Sequence, residues 1–279
     1  MISPAGHDYR NQHTVPQAYL RGFANSERRL WCHDLKEDRT TTKPVRQAAA
    51  EGDFYTPTTR DGSRSLAWEQ EIFRPIENAA PLAFSNLVHG VSLTKSDRHA
   101  IAIWMAVQIL RTTKVRDFGQ EFLHIKLAEF LGRPDAPPFA PDFVERMVAA
   151  NQHIVKNQQL ATLAKAFVPL SSVILARGWG IVRFDERSLL TSDNPVAPYR
   201  EAPTVGVQDA PLFLLPVNST TGLIVAELNR AGYETAGTPA LAAMFNERVT
   251  NSAHRYVFHN CEDAADRYLK RVDRLAPPS

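Results

Sequence analysis

Residues Trp179 to Val196 read WGIVRFDERSLLTSDNPV, and the pairing of this stretch decides the architecture. Trp179, Ile181 and Phe184 alternate with small or polar residues, which is strand patterning, and Asp185-Glu186-Arg187-Ser188 is turn chemistry ahead of a second strand from Leu189. The two together predict a β-hairpin. Pro195 has no N–H to give a ladder and holds Asn194 extended, so the second strand must stop there. Ser192, Asp193 and Asn194 are thereby presented side by side at its rim. Short polar side chains cost little to fix in one rotamer, which suits a site. An Asx-type turn bonding its own backbone uses the same residues, and both readings stay open.

Working outward toward the C-terminus, Ser172–Ala176, Leu212–Val217 and Leu223–Glu227 are strand-like, with a turn at Ser219-Thr220-Thr221-Gly222. An antiparallel sheet is expected from Ser172 to Glu227. Thr238-Pro239 then opens a helix carrying Leu241, Met244, Phe245 and Val249, with Asn246 and Asn251 expected on its exposed sides. A short strand Arg255–His259 and a helix Asp263–Arg274 follow.

Toward the N-terminus, Ser96 is the expected cap of a helix running to Arg111 that is apolar all round from Ala100 to Leu110, so this helix belongs at the centre. Gln108 and Arg111 interrupt its apolar surface on one face, and burying either unbonded costs about 1–3 kcal/mol or more. Glu69, Glu77 and Asp193 are the candidate partners. The plainer reading makes Arg111, Lys114 and Arg116 a basic last turn opposing the helix dipole. Trp68 to Val88 has helical spacing broken by Pro75 and Pro81, with Glu69 and Glu77 on one line of it, and a kinked helix is expected. Phe118–Leu131 and Asp142–Phe167 read as further amphipathic helices. Leu30–Asp34 and Thr40–Val45 read as paired strands, and a short strand follows Ala48-Ala49-Ala50. Near the start, His13 sits immediately ahead of a helix begun by Pro16 and bearing Gln17, Tyr19, Leu20 and Phe23, a position that depresses an imidazole pKa.

The chain has 279 residues, 44% hydrophobic and 22% charged, with a formal charge of +2, so no global field draws in a polyanion. A nucleic-acid partner must rest on a local patch. Cys32 and Cys261 lack metal spacing and fit a reducing compartment. The opening MISPAGHDYRNQ has no apolar run, and Ala100–Leu110 is too short to cross a bilayer of about 30 Å, so a cytoplasmic protein without membrane contact is expected. Ser92-Leu93-Thr94-Lys95 with Ser192-Asp193-Asn194 imitates serine β-lactamase elements, but Ser92 lies ahead of the helix it should open and no Lys-Thr-Gly strand follows. Asp34-Leu35-Lys36 matches a metal-dependent nuclease strand only weakly, with no acidic ligand at the upstream place.

Several motifs stand in order along the chain: His13-x-x-Pro16-Gln17-x-Tyr19-Leu20-x-x-Phe23, Asp53-Phe54-Tyr55, Glu69 with Glu77, Gln108-x-x-Arg111-Thr112, and Thr191-Ser192-Asp193-Asn194-Pro195. The set resembles the mainly bacterial domain-of-unknown-function family numbered 4238 over roughly Asn11 to His259, departing at Thr113 where that family often has proline. The resemblance groups these residues and implies no particular reaction.

The expectation is therefore an α+β fold: a loose arm over 1–10, then one domain over 11–279. Its helical middle is expected at about 66–168, packed on a mainly antiparallel β-rich part at about 172–228, with a small N-terminal β segment and C-terminal helices at about 238–274. His13, Glu69, Glu77 and Asp193 are the candidate catalytic residues; Gln17, Gln108, Arg111, Ser192 and Asn194 are the candidate substrate contacts. Arg111 and Asn194 would grip an anionic group, His13 with a carboxylate would do acid/base work, and Asp193 would orient it or hold a divalent metal such as Mg. The corresponding function is hydrolysis of a phosphodiester or nucleotide, as in a nuclease-like toxin or phage-defence effector. The alternative is a non-catalytic module in which the same polar set is a structural network.

Overall fold

The computed structural model describes residues 11–52, 54, 68–113, 115–117, 152–199, 206–227 and 232–261, with isolated positions between 121 and 146. The expected arm, most of the helix at Phe118–Leu131, the strand residues Asp53 and Tyr55 and the last helix lie outside them. The fold is α+β.

Helix α3 (Lys95–Leu110) is the hub. Its cap is Thr94, two residues before the expected Ser96: Thr94 Oγ1 accepts the Asp97 N–H at 3.1 Å while the Asp97 carboxylate accepts the Thr94 N–H at 2.9 Å. A reciprocal pair satisfies two end donors, where Ser96 would satisfy one. Ile101, Trp104, Met105 and Val107 are buried around α3. On one side lies α2 (Arg74–Val88), led in by a π-helical turn at Trp68–Phe73 and carrying Pro75 in its first turn and Pro81 inside. On the other lies α4 (Gln152–Ala176), which runs through Pro169. Ser172–Ala176, expected as a strand, is thus the last turns of α4. Val173 and Ile174 favour strands by themselves, but Leu170 and Ile174 are buried in the main core and the Trp179 indole N–H donates to the Ile174 carbonyl at 3.1 Å. By length and composition, Lys156–Ala176 of α4 could cross a membrane; here it packs along α3 with Leu160 and Leu163 buried.

A five-stranded sheet in the order β10 (Tyr233–Ala236), β5 (Gly178–Arg183), β9 (Thr221–Ala226), β8 (Leu212–Asn218), β7 (Ala197–Tyr199) is antiparallel except for the β10–β5 pair. Alternation sends Phe213, Leu215, Val217, Leu223 and Val225 toward the helical layer. Leu214 and Ile224 point the other way, onto Ala242, Phe245 and Val249 of α5 (Pro239–Ser252). Both faces are covered, which is why these strands read as unbroken apolar runs.

The predicted hairpin does not form. After β5 the chain leaves the five-stranded sheet, and β6 (Thr191–Ser192) pairs antiparallel with β11 (Tyr256–His259) in a second sheet, ordered β3 (Arg39–Pro44), β2 (Arg29–Asp34), β11, β6. The crossing is fixed by side-chain and turn bonds: Phe184 N–H donates to the Thr220 carbonyl at 2.8 Å and Leu189 N–H to the Ser219 carbonyl at 3.0 Å. Asn246, expected on an exposed side of α5, is 2% exposed and clamps the crossing, accepting from Leu190 N–H at 2.9 Å and donating to the Ser188 carbonyl at 2.8 Å. A small antiparallel pair, β1 (Asn11–His13) with β4 (Ala50–Gly52), completes the fold near the short helix α1 (Gln17–Leu20). Tyr19 of α1 ties the sheets together: its hydroxyl donates to the Pro216 carbonyl at 2.6 Å and lies 2.8 Å from Thr191 Oγ1.

Candidate functional site

The residues singled out in the sequence fall into two hydrogen-bonded groups. The first surrounds the C-terminal end of α3. Arg111 is 1% exposed, yet it is fully provided for: Nη1 donates to Glu77 Oε1 at 2.6 Å and the guanidinium lies 5.2 Å from the centre of the Phe73 ring. Gln108, in the amide orientation that satisfies both its atoms, accepts from Arg111 Nε at 2.8 Å and Nη2 at 2.6 Å and donates to the Thr14 carbonyl at 3.2 Å. His13 adjoins this group, its Nε2 3.1 Å from the Arg46 carbonyl. Burial lowers the His13 pKa from its ordinary value, the Arg46 carbonyl and the Glu77 charge pull it back up, and the Arg111 charge presses it further down. Gln17 is half-buried at the start of α1 and makes no side-chain hydrogen bond among the described residues. Glu69 belongs to the π-helical turn, and its side chain lies outside the described part.

The second group is built by β6 and the turn after it. The Asp193 carboxylate accepts three backbone N–H groups: His254 at 2.8 Å, Arg255 at 2.8 Å and Tyr256 at 3.0 Å. Burial pushes its pKa up from the aspartate range, and the three N–H bonds pull against that rise. Asn194 donates from Nδ2 to the Ser252 carbonyl at 3.0 Å, and its own N–H donates to Ser192 Oγ at 3.1 Å. Asp193, Asn194 and Ser192 therefore fold the join between α5 and β11. No hydrogen bond or ion pair among the described residues links this group directly to His13, Glu77 or Arg111.

What lies between the groups is a cleft of about 350 Å³. One wall is Thr14 with Ala48–Glu51, the second is Thr113 and Arg116 just past α3, and the third is Asp193 with His254, Arg255, Tyr256 and Phe258; Lys43 and Gln47 close the remaining side. The first group sets the position of Thr14 through Gln108, and the second sets the backbone of His254 and Arg255 through Asp193. The sequence motifs thus frame the cleft more than they fill it.

The polar side chains around the cleft itself were not singled out as site candidates from the sequence. His254 Nε2 lies 3.5 Å from Asp117 Oδ2. Arg116 reaches Glu51 at 2.7 Å and covers the Phe54 ring at 4.4 Å. Lys43 Nζ and the Arg255 guanidinium lie 4.8 and 5.1 Å from the centre of the Tyr256 ring, and Arg255 also holds Asp34 at 2.7 Å. That bond holds the Asp34 carboxyl at about 2, below the usual carboxylate range. Apart from Asp34, which belongs to the weak nuclease-like match, each of these residues reads in the sequence as an ordinary solvated charge, Arg116 as part of a basic helix end. The single signal was Asp193 itself, a carboxylate in need of donors. Among the described residues no three His, Cys, Asp or Glu side chains are grouped to hold a metal ion.

Residues 11–263 match the family model described as Protein of unknown function (DUF4238), and the chain belongs to that family. Neither a curated protein nor a solved structure matches the chain.

Proposed function

We propose that the cleft takes a phosphate-bearing ligand, a nucleotide or a short single strand of nucleic acid, and hydrolyses a phosphodiester in it. The observation that carries this reading is His254, which lines the same cleft as Lys43, Arg116 and Arg255 and lies 3.5 Å from Asp117. Lining charges favour an anion: three cations stand against Glu51 and an Asp193 carboxylate already engaged by three N–H groups. In the proposed step His254 takes a proton from water, Asp117 stabilises the imidazolium, water oxygen attacks phosphorus as the P–O bond to the leaving group breaks, and the imidazolium returns the proton to the departing oxygen, giving an alcohol. Lys43, Arg116 and Arg255 meet the charge gathering on the phosphoryl oxygens.

A second reading, a non-catalytic binding or interaction module, has its own observation. Arg116 and Arg255 already hold Glu51 and Asp34, and Arg111 is sealed as a structural ion pair. The test separates the two. Hydrolysis of bis(p-nitrophenyl) phosphate and binding of a labelled single-stranded oligonucleotide are measured for the parent, His254→Gln and Lys43→Ala with Arg116→Ala. The hydrolytic reading expects His254→Gln to lose about 10²–10⁴-fold in rate with binding kept. It expects the double variant to bind more weakly with a shallower salt slope. Binding without hydrolysis in the parent supports the module, and neither binding nor hydrolysis overturns both readings.

A further inference from the structure

A second cleft, of about 180 Å³, opens between α1, α2 and β8. Tyr19, Phe84 and Trp104 floor it, packed with ring centres 4.9 to 6.1 Å apart. Pockets for drug-sized molecules hold about 300–1,000 Å³, so this one is sized for a single ring system.

Four polar side chains line it: Ser85 and His89 bond each other at the α2 end, His89 Nδ1 lying 2.8 Å from the Ser85 carbonyl and 3.3 Å from Ser85 Oγ, while Glu77 and Asn218 have capacity to spare beside the aromatic floor. Glu77 gives Oε1 to Arg111 at 2.6 Å, and its other oxygen accepts no hydrogen bond among the described residues. Asn218 Oδ1 accepts Thr220 N–H at 2.9 Å and Thr220 Oγ1 at 3.1 Å, which fixes the amide orientation and leaves its NH₂ donating to nothing among the described residues. Over the aromatic floor, Glu77 therefore offers an acceptor and Asn218 a donor, with His89 and Ser85 at the rim. A cation would meet the Arg111 guanidinium directly behind the carboxylate, and an anion would meet the carboxylate itself. An uncharged ligand avoids both.

We propose that this cleft binds a flat, uncharged heterocycle bearing an N–H beside a C=O, the lactam edge of a nucleobase such as uracil or hypoxanthine. The N–H donates to Glu77, the C=O accepts from Asn218, and the ring lies against Tyr19, Phe84 and Trp104. The assignment is independent of the chemistry in the basic cleft.

Titration calorimetry of the full chain with uracil, hypoxanthine and 1,3-dimethyluracil, which keeps the shape of uracil without its N–H groups, tests it. At least one of the two lactams is expected to bind at least about tenfold more tightly than the dimethyl compound. Ala18→Trp, an exposed position on the rim, is expected to abolish that binding without moving the melting temperature, and Asn218→Ala to weaken it about tenfold. Absence of binding by both lactams at about 1 mM, equal binding of dimethyluracil, or undiminished binding by Ala18→Trp would overturn the proposal.

Discussion

Replacing Asp193 by alanine asks whether its carboxylate is a frame member or a reacting group. The side chain accepts three backbone N–H groups at 2.8, 2.8 and 3.0 Å. Hydrogen bonds to a charged group contribute about 1.5–3 kcal/mol each. Their simple sum overstates the loss, because cleft water can reach part of the exposed backbone and the variant escapes the cost of burying a carboxylate. A net loss of about 3–5 kcal/mol, the size found when one partner of a buried charged network is removed, is the expected outcome. For a chain of this size that lowers the melting temperature by roughly 6–20 °C. Asp193→Asn keeps one oxygen but turns an NH₂ toward backbone donors, so it is expected to lose less than alanine and more than half-saturation alone would suggest. The assay is thermal unfolding followed by circular dichroism, run beside phosphodiester hydrolysis. An Asp193→Ala protein melting within about 2 °C of the parent yet without hydrolytic activity would refute the frame argument and return Asp193 to the chemistry.

Arg111→Met leaves Gln108 and Glu77 without their shared donor and is expected to cost about 3–5 kcal/mol in urea unfolding, with Arg111→Met/Glu77→Leu recovering much of it. Asn246→Leu removes both bonds of the clamp at Ser188 and Leu190 and is expected to cost about 1–3 kcal/mol, read from the denaturation midpoint. Acid unfolding reports on Asp34. Its folded pKa of about 2 is below the ordinary aspartate value of 3.8, so its contribution is present above about 3.8 and is lost as pH falls through about 2. Asp34→Asn is therefore expected to flatten the stability curve in that window, and an unchanged curve would count against the Arg255 bond.

The parts of the fold legible in the sequence were those set by local chemistry or by cost. The apolar helix around Ala100–Leu110, the strands β2, β3, β8 and β9, and the helix opened by Thr238-Pro239 all follow from periodicity and punctuation. Gln108 and Arg111 had to be bonded wherever the chain put them, and Glu77 was among the carboxylates named for the purpose. Pairing was not legible, because alternation marks a strand without naming its neighbour: β6 is two residues long and its partner β11 lies far along the chain. The end of α4 was hidden by Val173 and Ile174, whose local preference yields to packing. The role of Asp193 was hidden by distance, since the donors it meets are 61 to 63 positions away. The basic cleft was hidden for the same reason, its cations arriving one at a time from β3, the end of α3 and the start of β11.

Because β5 and β6 belong to different sheets, residues 184–190 are a suture between them. A chain divided at that suture gives two pieces with incomplete seams: the first keeps β5 but loses β9 and β10 that flank it, and the second keeps β11 but loses β2. Each piece carries the missing edge of the other. Co-expressed halves are thus expected to reassemble as a split protein, each insoluble when made alone.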